Sequence, residues 1–121
     1  MDNIIKDCWV TWVKLGHSGL VMYLCYHSEN ISPIGFVWGL SIGNQKKEGI
    51  FHVLGSYELK HYRRKNVRTL INKTIMKHNK IIQSWFGTNT GGKAFMKASG
   101  YTYDKIRNDW YLVRRNKRGK R

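Results

Sequence analysis

The sequence predicts an α+β protein built on one mixed sheet, in the order β-β-β-β-α-β-α-β-β. Three observations carry that reading. The first half of the chain holds four short apolar runs separated by turn-forming residues, the mark of an antiparallel meander. The hydrophobic period then lengthens from that of a strand to that of a helix over residues 62–79. A chain of 121 residues with 41% hydrophobic and 13% aromatic content fills one core and not two. The domain is expected over 1–113, with a basic tail at 114–121 outside it.

The elements follow in order. Cys8–Lys14 (CWVTWVK) alternates Trp and Val with polar partners, as a half-buried strand does. Gly16 to Gly19 is turn chemistry, and Leu20–His27 (LVMYLCYH) is a more continuously apolar strand. Residues 34–42 (IGFVWGLSI) form a third strand, whose Gly35 and Gly39 suggest a bulge or a close backbone approach. Residues 50–57 (IFHVLGSY) are the fourth. In the helix at 62–79, Val67, Leu70, Ile71, Thr74, Ile75 and His78 share one face, and Arg64, Lys65, Arg68, Asn72, Lys73 and Lys77 lie mostly on the other. Residues 80–86 are a fifth strand. Residues 91–99 make a short helix stopped by Gly100, and 101–104 and 110–114 are two last strands around a polar turn. A strand, a long helix and a parallel strand make a βαβ unit, which leaves a gap between strands four and five with the helix N-terminus aimed at it.

Charge narrows the function. Lys+Arg is 22 against 7 Asp+Glu, a net charge of +15, which points to nucleic acid, another polyanion or a large anionic ligand. A protein partner is also open, and the composition does not specify an oligomeric state. The longest apolar runs are too short to span a membrane. Two cysteines are too few for a disulfide framework, so the expected location is a reducing cytoplasm. The five histidines and two cysteines show no zinc spacing, and no metal site is expected.

Two stretches carry chemistry. Arg63, Arg64, Lys65, Asn66, Val67 and Arg68 crowd the start of the long helix, where the exposed N–H groups and the helix dipole already attract anions. Cations there oppose the dipole unless an anion compensates, so an anion is expected beside them. The second stretch is NTGGKAFMKASGY (89–101), an Asn in a loop, a short helix, then Gly and an aromatic residue.

Both stretches resemble the GNAT acyltransferase superfamily. Its pyrophosphate loop runs Arg or Gln, two residues, Gly, one residue, then Gly or Ala. Here that reads Arg63, Arg64-Lys65, Asn66, Val67, Arg68. Asn66 replaces the first Gly and tolerates a left-handed backbone. Arg68 replaces the second and adds bulk, though its charge suits phosphate. The resemblance covers about residues 20–115 and implies acetyl-CoA as cofactor, with Asn89 against the pantetheine arm or capping the short helix. Two departures stand out. The family's two helices after the first strand are missing, and the Tyr that protonates the leaving thiolate is replaced by Met96. A narrower resemblance, to small GNAT-like internal virion proteins of short-tailed bacteriophages, rests on the basic loop, the absent Tyr and the run from Trp85 to Asn89. It implies a phage-encoded chain, found in host cytoplasm or virion, whose activity has been lost.

The first expectation is therefore acyl-CoA-dependent N-acyl transfer, acetyl by preference, to an amine. Glu58 or His52 on strand four would take the proton. The alternatives are an inactive GNAT-fold protein that binds nucleic acid or a virion or host partner, and an acyltransferase-like enzyme acting on a nucleobase. Nucleic-acid contacts would fall on Lys73, Lys77, Arg114, Arg115, Lys117 and Arg118; the tail from 114 has six basic residues in eight. Most tryptophans are expected in the core, with Trp9, Trp12 and Trp110 the ones to test for exposure.

Overall fold

The computed structural model describes residues 4–16, 19–42, 49–84, 94, 96–106 and 109–113. They form a seven-stranded sheet with β1 at Cys8–Lys14, β2 at Leu20–His27, β3 at Gly35–Ile42, β4 at Ile50–Glu58, β5 at Ile81–Ser84, β6 at Thr102–Asp104 and β7 at Asp109–Val113. The order across the sheet is β1-β2-β3-β4-β5-β7-β6. The β4–β5 pair is parallel and every other pair is antiparallel. Helix α1, Val67–His78, joins the two parallel strands. The expected mixed sheet is thus the one observed.

Alternation assigns the two faces. On one face α1 buries Val67, Ile71 and Ile75 against Val37, Phe51, Val53 and Ile82, all at most 1% exposed. Each such side chain contributes about 1.5–3 kcal/mol when taken out of water. The C-terminal end of α1 is fastened there too: the Tyr23 hydroxyl lies 3.2 Å from His78 Nδ1, and buried Asn79 donates to the Ile75 carbonyl at 3.1 Å. The opposite face carries Met22, Leu24, Phe36, Trp38 and Leu40, none of them fully buried.

One irregularity sets the phase of β4. Trp38 pairs with Gly55 while Gly39 pairs with Val53, so Leu54 is an extra residue. Two glycines make the bulge fit. A Cβ on Gly39 would strike the His52 carbonyl, and one on Gly55 would strike the Trp38 indole nitrogen. Beyond the bulge the alternation is shifted by one, so Ser56 and Glu58 face α1 opposite Val37 and Gly35.

Several boundaries differ from expectation. The helix does not start at 62. Lys60–Tyr62 is a single 3-10 turn, 63–66 are turns, and α1 begins at Val67, because Arg64 and Asn66 adopt left-handed backbones that no helix accommodates. The described part of the fifth strand ends at Ser84, and β7 starts a residue earlier and ends at Val113. A 3-10 segment at Ile4–Asp7 was not expected. Residues 94 and 96–98 are helical, and Gly100 has φ +87, the left-handed stop expected of it. Asn72, expected on the solvent side of the helix, is only 5% exposed.

The expected gap between strands four and five is partly seen. All four residues of β5 pair with β4, from Ile50↔Ile81 to Val53↔Ser84. From Leu54 to Glu58, β4 runs on with no β5 partner among the described residues.

Candidate anion-binding site

The site lies where β4 hands over to α1. Arg63 leaves the 3-10 turn extended, Arg64 has φ 62, and Asn66 has φ 67 and ψ 19. A left-handed Asn is tolerated where most side chains would clash, and it stands where the GNAT loop has its first Gly. The first bond of the helical ladder runs from the Leu70 N–H to the Asn66 carbonyl at 3.1 Å. The amides of Val67, Arg68 and Thr69 therefore lie outside the ladder, at the positive end of the helix.

One of those amides already holds an anion. The Glu58 carboxylate accepts a hydrogen bond from the Arg68 backbone N–H and lies in the field of the Arg68 and Arg63 guanidiniums. Burial pushes its carboxyl above the usual carboxylate range, and the Arg68 charge, the Arg68 amide and the Arg63 charge only partly offset this. The compensating anion demanded by a basic helix start is thus supplied, in part, by the chain itself.

Arg68 and Arg63 are both held in place. Arg68 Nε donates to Asn72 Oδ1 at 3.1 Å, and its Nη1 donates to Ser56 Oγ at 3.2 Å. Asn72 Nδ2 in turn donates to the Tyr101 hydroxyl at 3.0 Å, tying α1 to the residue just before β6. Arg63 Nε donates to the Glu58 carbonyl at 3.1 Å, and its Cζ stands 5.9 Å from the Tyr57 ring centroid. Arg64 is exposed and Lys65 half-exposed at the same turn.

The expected residues divide accordingly. Arg63 and Arg68 come together around Glu58, and Arg64, Lys65 and Asn66 stand in the turn between them. Val67 is 1% exposed, so only its backbone is available to a ligand. His52 does not join them. It pairs with Leu40 and faces away from α1, whereas Glu58 faces α1, because the Leu54 bulge lies between. Strict alternation puts residues an even number apart on one side, and the bulge breaks that rule. His52 and Glu58, expected as alternative bases, thus stand on opposite faces of the sheet. Lys73 and Lys77 are exposed on α1. Met96 is 3% exposed, with no ionisable proton to offer. Asn89, Arg114, Arg115, Lys117 and Arg118 lie outside the described residues.

Sequence reasoning missed the linking roles of Asn72 and Tyr101. An Asn in mid-helix flanked by Arg68 at i−4 was the available signal. Of the tryptophans, Trp9 is 49% and Trp12 50% exposed, whereas Trp110 is buried. Among the described residues no group of three or more His, Cys, Asp or Glu is placed to hold a metal ion, and no helix is long and apolar enough to cross a membrane.

A mixed sheet whose only described parallel pair brackets a helix, with a basic turn at that helix's N-terminus, defines the GNAT fold, and solved structures agree. A GNAT-family acetyltransferase from Staphylococcus aureus Mu50 superposes with a TM-score of 0.61 at 16% identity, covering 92% of this chain and 73% of that one. Arabidopsis thaliana NAA60, in complex with a bisubstrate analogue, gives 0.59 at 12% identity over 82% of this chain and 76% of its own. AAC(6')-Iy, in complex with the bisubstrate analogue CoA-S-monomethyl-acetylneamine, gives 0.57 at 14% identity over 83% and 71%. No protein-family model matches the sequence. No curated protein matches it either.

Proposed function

We propose that this chain binds acyl-CoA with the pyrophosphate at the start of α1, and transfers the acyl group, acetyl by preference, to an amine. The observation that carries this is the basic turn itself: left-handed Asn66, amides outside the helical ladder and Arg63, Arg64 and Lys65 around them. The donor set fits a diphosphate, and the Glu58 carboxyl group beside the Arg68 amide supports this reading. Acyl-CoA, when bound, supplies an acyl group activated as a thioester. Arg63, Arg64 and Lys65 neutralise phosphate charge. Glu58, expected as the base, stands instead at the phosphate end of the site, where it competes with phosphate for the Arg68 amide, and the amine gives its proton to solvent. Met96 leaves the departing thiolate to take its proton from solvent, which slows transfer without forbidding it.

A second reading is favoured by a specific observation. Buried Met96, together with an Arg68 side chain committed to Ser56 and Asn72, suits a GNAT-fold protein that keeps the anion site and has lost transfer. Its polyanion would be nucleic acid, held by Lys73, Lys77 and the tail. The likeness to phage internal virion proteins belongs to this reading.

Thermal shift with acetyl-CoA, run beside a short DNA duplex, separates the two. The first reading expects a rise in Tm with acetyl-CoA that disappears in Arg63→Ala/Arg64→Ala, and release of free thiol with an amine acceptor. No shift at millimolar acetyl-CoA, with duplex binding that weakens steeply as salt is added, overturns it in favour of the second.

A further inference from the structure

The two edges of the sheet are guarded differently. Its outer strands are β1 and β6. β6 is three residues long and ends on Asp104, and shortness and charge are what keep an edge from recruiting another strand. β1 is seven residues, CWVTWVK, with no Gly, no Pro, no bulge in its pairing with β2, and one charge at its last position. Its side chains are open on both faces of the sheet. Trp9 and Val13 on one face are 49% and 46% exposed, and Trp12 on the other is 50% exposed, with Thr11 exposed between them. The phase of its hydrogen bonds is fixed at both ends. The Asp7 carbonyl accepts from the Ser28 N–H at 3.1 Å, and the Leu15 N–H donates to the Leu20 carbonyl at 2.8 Å. In an antiparallel ladder alternate residues bond to the same neighbour, so residues 7, 9, 11, 13 and 15 face β2. Val10, Trp12 and Lys14 turn their N–H and C=O outward and have no backbone partner among the described residues.

We propose that β1 pairs antiparallel with β1 of a second copy, about a two-fold axis through Thr11, joining two seven-stranded sheets into one. The strand itself selects this occupant. An axis perpendicular to the sheet reverses the strand and keeps each face on its own side, so every residue must meet one from the same face. Pairing through Thr11 satisfies this and uses all seven residues. The outward-turned residues then form the hydrogen-bonded pairs, Val10 with the partner's Trp12 and Lys14 with the partner's Cys8. The others form the non-hydrogen-bonded pairs, Trp9 with the partner's Val13 and Thr11 with the partner's Thr11. Each exposed tryptophan thereby covers a valine, and symmetry repeats the contact. Charge agrees with this register. Lys14 meets Cys8 and not itself, and the two ammoniums stand at opposite ends of the ladder, about 20 Å apart at ~3.4 Å per residue, beyond the reach of screened repulsion. A strand from a different protein would gain the same backbone bonds, but β1 supplies its own apolar match on both faces. The paired edge is narrower than a standard interface, so backbone bonds carry it and the dimer depends on concentration. This inference is independent of the acyl-CoA reading.

Sedimentation equilibrium on the full chain, over a range of concentrations, tests it. The expected result is a species of twice the 14.3 kDa chain mass that grows with concentration. Thr11→Lys sets two ammoniums face to face on the axis, where like charges directly opposite repel. It should weaken the dimer at least tenfold and leave the circular dichroism unchanged, since Thr11 is exposed in one chain. Should that variant fail to fold, Thr11→Cys reads the register directly. With copper phenanthroline as oxidant it should give a disulfide-linked dimer across the axis, where the closer of the two cross-strand spacings falls. Val13→Cys, opposite the partner's Trp9, should not cross-link, and neither should the parent chain, whose Cys8 lies opposite the partner's Lys14. A monomer at every concentration overturns the proposal and leaves the edge to a strand of a different protein. So does a dimer undiminished in Thr11→Lys, or cross-linking as ready through Val13→Cys as through Thr11→Cys.

Discussion

Asn72 is the residue through which the anion site is tied to the body of the fold, and Asn72→Leu measures the tie. Its amide donates to the Tyr101 hydroxyl at 3.0 Å, and its carbonyl accepts from Arg68 Nε at 3.1 Å. A neutral bond of this kind is worth about 1 kcal/mol, and one to a charged donor about 1.5–3 kcal/mol. Arg68 is half-exposed, so the lower end of that range applies, and the two bonds together come to about 2–3 kcal/mol. In a chain of this length each kcal/mol moves Tm by about 3–6 °C, so Asn72→Leu should melt about 10 °C lower. Tyr101→Phe removes only the neutral bond and should cost about 1 kcal/mol. A double-mutant cycle on the two, followed by circular dichroism in thermal melts, should return a coupling near that value. A fall of less than a couple of degrees in Asn72→Leu, or additive effects in the cycle, would refute the link between α1 and Tyr101.

Three further outcomes are expected. Because burial raises the Glu58 pKa above 4.5, the folded state loses stability as pH rises past that value; Glu58→Gln should melt higher than the parent at pH 7 and equal to it near pH 4, by calorimetry at both. The His78 ring is held below its usual pKa, first by burial and then by Lys77, so the stability it contributes is complete above about pH 6.5 and lost as pH falls through the folded value; His78→Asn should flatten the melting profile between pH 5 and 7. Gly39→Ala would press a methyl into the His52 carbonyl and stand 3.0 Å from Val53 Cα, backbone that cannot yield; a loss of about 3 kcal/mol is expected in urea unfolding, with an unchanged midpoint the contrary result.

Strands one to four were legible because each is bounded by turn residues and each alternates or runs apolar, and Cys8–Lys14 and Leu20–His27 stand where the pattern places them. The long helix was legible on its apolar face but not at its start. No Gly or Pro punctuates residues 62–66, and only the left-handed Arg64 and Asn66, a property of local backbone geometry, cut the helix short. Asn66 itself was readable, since Asn is the side chain that replaces Gly at such an angle. The relation of His52 to Glu58 was not readable, because it depends on the one extra residue at Leu54, and a bulge is set by cross-strand packing of Gly39 and Gly55 rather than by composition. The partner of the basic turn was misplaced for a similar reason. The sequence demanded an anion and suggested a ligand; Glu58 answers part of that demand only because the bulge turns it toward α1.

Titration calorimetry of CoA against pantetheine puts the site to its most direct trial. The two ligands share the thiol arm and differ in the nucleotide and its phosphates, so the comparison isolates the anion at the head of α1. CoA is expected to bind at least a hundredfold more tightly than pantetheine, with the difference erased in Arg63→Ala/Arg64→Ala. Equal affinity for both, or heat from neither at millimolar concentration, would mean that no phosphate is held there.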